Sequence, residues 1–389
     1  MHTPAAPERG PLEGLRVLDI TSTMSGPFCT LLLAQLGASI DKIEPPTGDV
    51  LRNVPGGVSP GMSPLFLAFN AGKRSVRLDL RDSGDREVLR RSFASYDVIV
   101  HNMRGKAARR LGLTAGSLVE AGSQAILCEI VGYGPGPFED HPAYDDTIQA
   151  ASGLAWVQGN GDRPEYVRTA IADKTAGLYA ALAVCAELAG RGRGRRARAV
   201  KIPMLETLAA FTTVEQLGGA TFDPPRGPAL YPRTASRDRR PYPTADGYLS
   251  VMVYTDRHWH SFLMEIGRPD LIEDERFAHI DGRTRHVDEV YSFLAQEMTR
   301  RTTAQWMTAL TDIDVPHARL NPIPDLFDDE HLRAVALFAP REHPTEGVLR
   351  ISRPPFLFDD TPVPDVEFAE PLGRSTRDFF AEHRADLVP

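Results

Sequence analysis

Cysteine is scarce in this chain of 389 residues: Cys29, Cys128 and Cys185 are too few and too scattered for a disulfide framework or a cysteine-rich metal site. A reducing setting, the cytoplasm, is expected. No uninterrupted apolar run reaches the ~18 residues of a membrane span. The opening MHTPAAPERG is polar and lacks the apolar core of a signal peptide. A basic excess is also missing, since Lys+Arg number 44 against 52 Asp+Glu for a net charge of −8. No overall field therefore draws the chain to nucleic acid or an anionic membrane, and any anionic ligand needs a local basic site. Three signature loops are absent as well. The first strand–helix junction, Thr21 to Pro27, carries no G-x-G-x-x-G, and neither a P-loop nor a G-x-S-x-G elbow occurs. His258 and His260 flank Trp259 without a third ligand at recognisable spacing, so no metal site is expected.

What is present is a globular composition, 42% hydrophobic and 25% charged, in a chain longer than one ordinary domain. Short apolar runs alternate with helical patterns through the first 130 residues. Strands are predicted at 16–20, 38–44, 75–80, 97–101 and 125–131, with helices from Gly26-Pro27 to Leu36, near 86–95 and near 115–121. This alternation predicts an α/β fold with a doubly wound, mostly parallel sheet whose ligands bind at the carboxyl ends of its strands. An Ala/Leu-rich helix follows from Asp173 to Leu188, then an arginine-rich turn at 191–196 and a strand at 197–202. A Gly/Pro linker after Leu217 leads into a compact α+β segment from Tyr248 to about Val315. The 32 prolines, about 8% of the chain against a usual ~5%, predict many fixed turns and long connections.

Two groups of cations follow successive predicted strands, Lys73, Arg74 and Arg81, then Arg104, Lys106, Arg109 and Arg110. That is where a parallel sheet would meet a phosphorylated ligand. Asp173 stands where an N-cap belongs, directly before an apolar helix. The same position favours an ionised carboxylate, the state a nucleophile needs, and the pattern alone does not separate the two roles.

Taken in order, several segments resemble the family III coenzyme A transferases (the CaiB/BaiF family), the group of formyl-CoA and crotonobetainyl-CoA transferases. They include Pro11–Asp19, Ser25-Gly26-Pro27, Lys42-Ile43-Glu44, Asn70–Ser75, Gly132-Tyr133-Gly134, Pro142–Asp145, Ala172-Asp173 and Pro371-Leu372-Gly373. The series spans nearly the whole chain. The resemblance implies a large Rossmann-like domain from residues 1–205, a linker at 206–225, a smaller inserted α+β domain at 226–320, and a return segment at 321–389. It also implies a homodimer of interlocked subunits. Its catalytic aspartate falls on Asp173, and its CoA-contacting positions on Met24, Ser25, Leu78, Arg81, Asn102, Met103, Arg110, Tyr144 and Asp145.

The implied reaction moves CoA from an acyl-CoA donor to a carboxylic acid through an aspartyl anhydride and an aspartyl-CoA thioester. No metal or cofactor beyond CoA itself is called for. Related α-methylacyl-CoA racemases pair a histidine with an aspartate, the histidine standing where this chain has Tyr144. A group of ordinary pKa about 10 is a poor base at neutral pH, which favours transfer. A non-catalytic CoA-binding protein is a further alternative, opposed by retention of an acid at Asp173, because capping alone would accept Ser, Thr or Asn. The family's glycine-rich loop has no counterpart after Leu217 beyond Gly218-Gly219. Arg233–Arg240 stands there instead, either to bind an acceptor with several carboxylates or as a solvated linker.

Overall fold

The computed structural model of the chain describes residues 10–159, 163–191 and 199–384. These divide into two compact units, one within Met1–Leu154, Tyr166–Phe211 and Glu330–Pro389, the other within Ala155–Glu165 and Thr212–Asp329. No helix among the described residues is long and apolar enough to cross a membrane.

The first unit is built on a parallel sheet of β1 (Arg16–Ile20), β2 (Ser39–Glu44), β3 (Lys73–Arg77), β4 (Val98–His101), β5 (Ile126–Val131) and β6 (Ala199–Pro203). Their order is β3-β2-β1-β4-β5-β6. Successive side chains of a strand face opposite ways, and both faces here are apolar, as a sheet covered by helices on each side requires. Val17, Val98, Val100 and Cys128 enter one core, and Leu18, Ile20, Ile99 and Leu127 the other. Chain order reverses between β1 and β4. That switch point opens a crevice outside the carboxyl ends of the strands, the usual ligand position of an open α/β sheet.

The helices that matter for the site follow in chain order. They are α1 (Ser25–Gln35), α2 (Pro64–Phe69), α3 (Ser83–Ser92), α4 (Gly105–Arg110), α5 (Ala115–Glu120), α6 (Asp145–Ala151), α7 (Leu154–Gln158), α8 (Ile171–Arg191) and α9 (Met204–Gln216). Helix α1 has almost no polar face, with Cys29, Leu31, Leu32 and Leu33 all buried, as befits a helix enclosed on all sides. Helix α8 packs on it. A Cβ on Gly177 would lie 2.5 Å from the Ser25 carbonyl oxygen and 3.2 Å from the Cys29 nitrogen, so glycine is what lets the two backbones meet.

The third strand ends at Arg77 rather than Leu80, because Asp79 turns the chain by accepting the Arg81 N–H. Most of the arginine-rich turn, from Gly192 to Arg196, lies outside the described residues, as do 197 and 198; Arg191 Nη2 donates to the Gln124 carbonyl at 2.6 Å.

The second unit has its own core around Trp259, Phe262 and Trp306, against an antiparallel sheet of Tyr242–Pro243, Tyr248–Val251 and His317–Arg319. Within it Arg233 donates to the Tyr291 hydroxyl at 2.9 Å and lies over the Tyr254 ring, and Arg240 pairs with Asp238 at 2.9 Å. These two guanidinium groups are engaged locally.

Candidate active site

The loop from Thr21 to Met24 joins β1 to α1 at the switch point, and a buried polar frame fixes it. Asp19, wholly buried, accepts the Thr21 N–H (2.9 Å), the Thr21 hydroxyl (2.5 Å), the Thr30 hydroxyl (2.6 Å) and Lys73 Nζ (3.1 Å). Burial alone would raise its pKa, but Lys42, Lys73 and the two hydroxyls outweigh burial and hold it far below the usual carboxylate range. Lys73 also donates to the Pro27 carbonyl and Asn70 Oδ1, both at 2.9 Å. Burial, aided by Lys42, brings its pKa down to about 8 despite Asp19.

Lys42 donates to the Thr21 carbonyl at 3.0 Å and pairs with Asp49 at the same distance. From the far side of the switch point Asn102 clamps the loop, its Oδ1 accepting the Ser22 N–H (3.1 Å) and its Nδ2 donating to the Ser22 carbonyl (2.7 Å).

This frame corrects one expectation. Lys73 is not a phosphate ligand, because its ammonium is enclosed by Asp19, Asn70 and Pro27, and Arg74 pairs with Asp41 (3.2 Å) and Glu382 (3.1 Å). Two side chains from the implied CoA-contacting set also lie away from the cavities. Leu78 is completely buried in the core, and Met24 packs against the cluster of Leu51, Met62 and Phe66.

Asp173 lies in the first turn of α8 and is not its N-cap, because the helix already begins at Ile171. Its backbone N–H, left without an intrahelical acceptor there, donates to Asp145 Oδ1 at 3.0 Å. Asp145 in turn opens α6 and accepts Gln149 Nε2 at 2.6 Å. The Asp173 side chain is 8% exposed. Burial first, then the nearby Asp145 charge, push its pKa up to about 6, while a hydrogen bond from Ser25 opposes the rise. Gly177, one turn on, is the glycine that admits α1, so Asp173 and Ser25 meet because of that close approach.

Asp173, Ser25, Asn102, Met103 and Tyr144 line one cavity of about 500 Å³, walled also by Arg104, Arg109, His141, Glu129 and Lys201. A neighbouring cavity of about 940 Å³ shares Ser22, Asn102 and Met103 and adds Arg81, Arg86 and Arg110. Arg81 is almost fully exposed and held by a two-pronged pair to Asp79, each contact 2.9 Å. Seven of the ten expected site positions thus border one cavity or the other, Asp145 touches Asp173 from α6, and Leu78 and Met24 do neither. Sequence reading missed Glu129, Lys201 and His141. Glu129 and Lys201 sit in segments read for strand pattern only, His141 lies between two matched segments, and the packing role of Gly177 is hidden inside an unbroken helical pattern.

A buried carboxylate on the wall of one cavity, beside a second cavity with arginines on its wall, stands at the switch point of a parallel α/β sheet. The model of the family described as CoA-transferase family III matches residues 12–376. The chain belongs to that family and is an enzyme of the CoA-transferase type. It is 29% identical to a succinyl-CoA:mesaconate CoA-transferase of Haloarcula hispanica, across 97% of this chain and 96% of that one. It is 30% identical to a formyl-CoA:oxalate CoA-transferase of Rhodopseudomonas palustris, across 94% and 91%. A probable fatty acyl-CoA transferase of Mycobacterium tuberculosis, Rv3272, shares 31% over 316 residues, 77% of this chain and 80% of its own length. The crystal structure of Rv3272 in its orthorhombic form superimposes with a TM-score of 0.81 at 26% identity, covering 96% of this chain and all of that one.

Proposed function

We propose that the enzyme moves CoA from an acyl-CoA donor to a carboxylic acid, with Asp173 as nucleophile. One observation carries this reading: a buried carboxylate with an elevated pKa that shares with Ser25 the wall of a cavity next to one bordered by arginines. The ionised Asp173 oxygen attacks the donor thioester carbonyl; the C–S bond breaks, leaving a mixed anhydride and the CoA thiolate. The thiolate attacks the aspartyl carbonyl, releasing the donor acid and forming an aspartyl-CoA thioester. An incoming carboxylate then attacks that thioester, and the thiolate, freed again, takes the new acyl group from the second anhydride and restores Asp173. No net proton is exchanged. Weakly solvated carboxylate and thiolate are the better nucleophiles, which is what a buried site provides.

In this reading CoA lies across both cavities. Arg81 and Arg110 meet its phosphates, Asn102 and Met103 stand at the junction, and Ser25, Tyr144 and Asp145 surround the thioester end. Leu78 and Met24 have no side-chain role in it. The homodimer belongs to the same proposal, supported by Leu178, Tyr179 and Leu182 on α8, the helix that carries Asp173, and Phe211 on α9, which are exposed apolar side chains.

Incubation with an acyl-CoA donor followed by hydroxylamine should trap an aspartyl hydroxamate at Asp173. Asp173→Ala should abolish both trapping and transfer, and near-normal turnover in that variant would sink the assignment. A second reading, exchange of the proton α to the thioester, draws on His141, which lines the same cavity as Asp173 and so offers a paired acid and base. Uptake of solvent deuterium at the α-carbon without any acceptor acid would favour it.

A further inference from the structure

The sheet register sets His101 on β4 opposite Glu129 on β5, and Glu129 opposite Lys201 on β6. Three polar side chains therefore form one row across the carboxyl ends of adjacent strands. Glu129 and Lys201 line the cavity that holds Asp173, and the transfer chemistry above uses neither. His101 is completely buried. Its Nδ1 accepts the Met103 N–H at 3.3 Å, so in the neutral ring the proton sits on Nε2. Among the described residues that N–H has no hydrogen-bond partner, and it stands 3.8 Å from Glu129 Oε2. On the other side, Lys201 Nζ lies 4.0 Å from the same oxygen.

The Lys201–Glu129 gap is too long for a direct hydrogen bond, and it is a span that one oxygen atom bridges when it sits about 2.8 Å from each side. An atom placed there must accept from the Lys201 ammonium, which has only donors, and donate to the Glu129 carboxylate, which has only acceptors. A second carboxylate on the ligand satisfies lysine but faces glutamate with like charge. An alkyl chain satisfies neither and leaves a charged pair desolvated. A hydroxyl satisfies both without adding charge.

We infer that Lys201 and Glu129 form a subsite for a neutral hydroxyl carried on the acyl chain of the transferred acid, with the His101 ring facing Glu129 from the neighbouring strand. The inference rests on the transferase reading and names its substrate class: hydroxy acids rather than plain or dicarboxylic acids.

The test is a panel of acceptor acids of equal chain length offered to the wild-type enzyme with one acyl-CoA donor. It comprises the unsubstituted acid, those hydroxylated at the third, fourth or fifth carbon, and the dicarboxylic acid. One hydroxy acid is expected to exceed the unsubstituted acid in kcat/KM by roughly tenfold to a hundredfold, the range for a hydroxyl paired with charged partners. Lys201→Gln and Glu129→Gln should each collapse that ratio toward one. His101→Phe, a positioning change, should lower it through KM for the hydroxy acid.

A wild-type preference for the dicarboxylic or unsubstituted acid overturns the inference and leaves the transferase reading standing. So do ratios that persist in both glutamine variants. Absence of transfer to every acid overturns the transferase reading and this inference with it.

Discussion

Replacing Gly177 by alanine sets two known effects against each other, and the structure decides between them. In an isolated helix the change should stabilise α8 by about 1 kcal/mol, because glycine is the poorer helix former. Here the new Cβ would stand 2.5 Å from the Ser25 carbonyl oxygen, where ordinary contact begins at 3.4 Å. Helices α1 and α8 would have to part by about 0.9 Å, and an overpacked core contact of this kind costs about 1–3 kcal/mol. The net expectation is a loss of stability of about 0–2 kcal/mol. Activity should suffer more, since the displaced groups are Ser25 and, one turn away on α8, Asp173. A misplacement of about 1 Å at the reacting groups costs on the order of a hundredfold in rate. Urea unfolding gives the first quantity and the kcat for acyl-CoA-to-acid transfer the second. A Gly177→Ala enzyme with full kcat and a midpoint raised by the helix-propensity gain would show that this close approach does not set the geometry of the site.

The elevated pKa of Asp173 predicts that kcat rises with pH through about 6, as the carboxylate forms, and then levels off. Asp145→Asn removes a like charge and should move that limb to lower pH, whereas Ser25→Ala removes a hydrogen bond to the anion and should move it to higher pH; a limb unmoved by both would refute the origin given for it. The same shift carries a stability sign. A carboxyl whose folded pKa is raised destabilises the fold above that pKa and not below its unfolded value near 3.8, so Asp173→Asn should be more stable by about 3 kcal/mol at pH 7, with the difference gone below about pH 4 in urea titrations. Lys73→Met strips the Asp19 carboxylate of its buried ion-pair partner and should cost about 3–5 kcal/mol, part of which Asp19→Asn in the same chain should restore. Additive losses in that double variant would mean the pair is not coupled.

Much of the fold was legible from one-dimensional pattern. The six strands of the sheet and helices α1, α3, α5 and α8 follow from apolar runs bounded by Gly, Pro and Asp, because strand and helix periodicity is a local property. The crevice was legible too, since a chain alternating strand and helix places its ligands at one edge of the sheet. Lys73 and Arg74 were misread for the same reason that these succeeded. A lysine next to a strand looks identical whether it faces solvent or a buried carboxylate, and only packing sends Lys73 to Asp19, 54 positions away in the chain. The capping alternative for Asp173 failed more narrowly, since Ile171 and Ala172 are also compatible with helix and the acceptor for the Asp173 N–H comes from α6.

Residue types, their order and their spacing by themselves determined the α/β class and the family, and singled out Asp173 as the acid proposed here as nucleophile. Tertiary structure alone decided what that acid is worth. Burial beside Asp145 raises its pKa, Gly177 brings α1 close enough for Ser25 to reach it, and strand register aligns His101, Glu129 and Lys201 in one row. Each of these depends on atoms far apart in the chain arriving at contact distance. Desolvation, close approach and register have no counterpart in a local pattern.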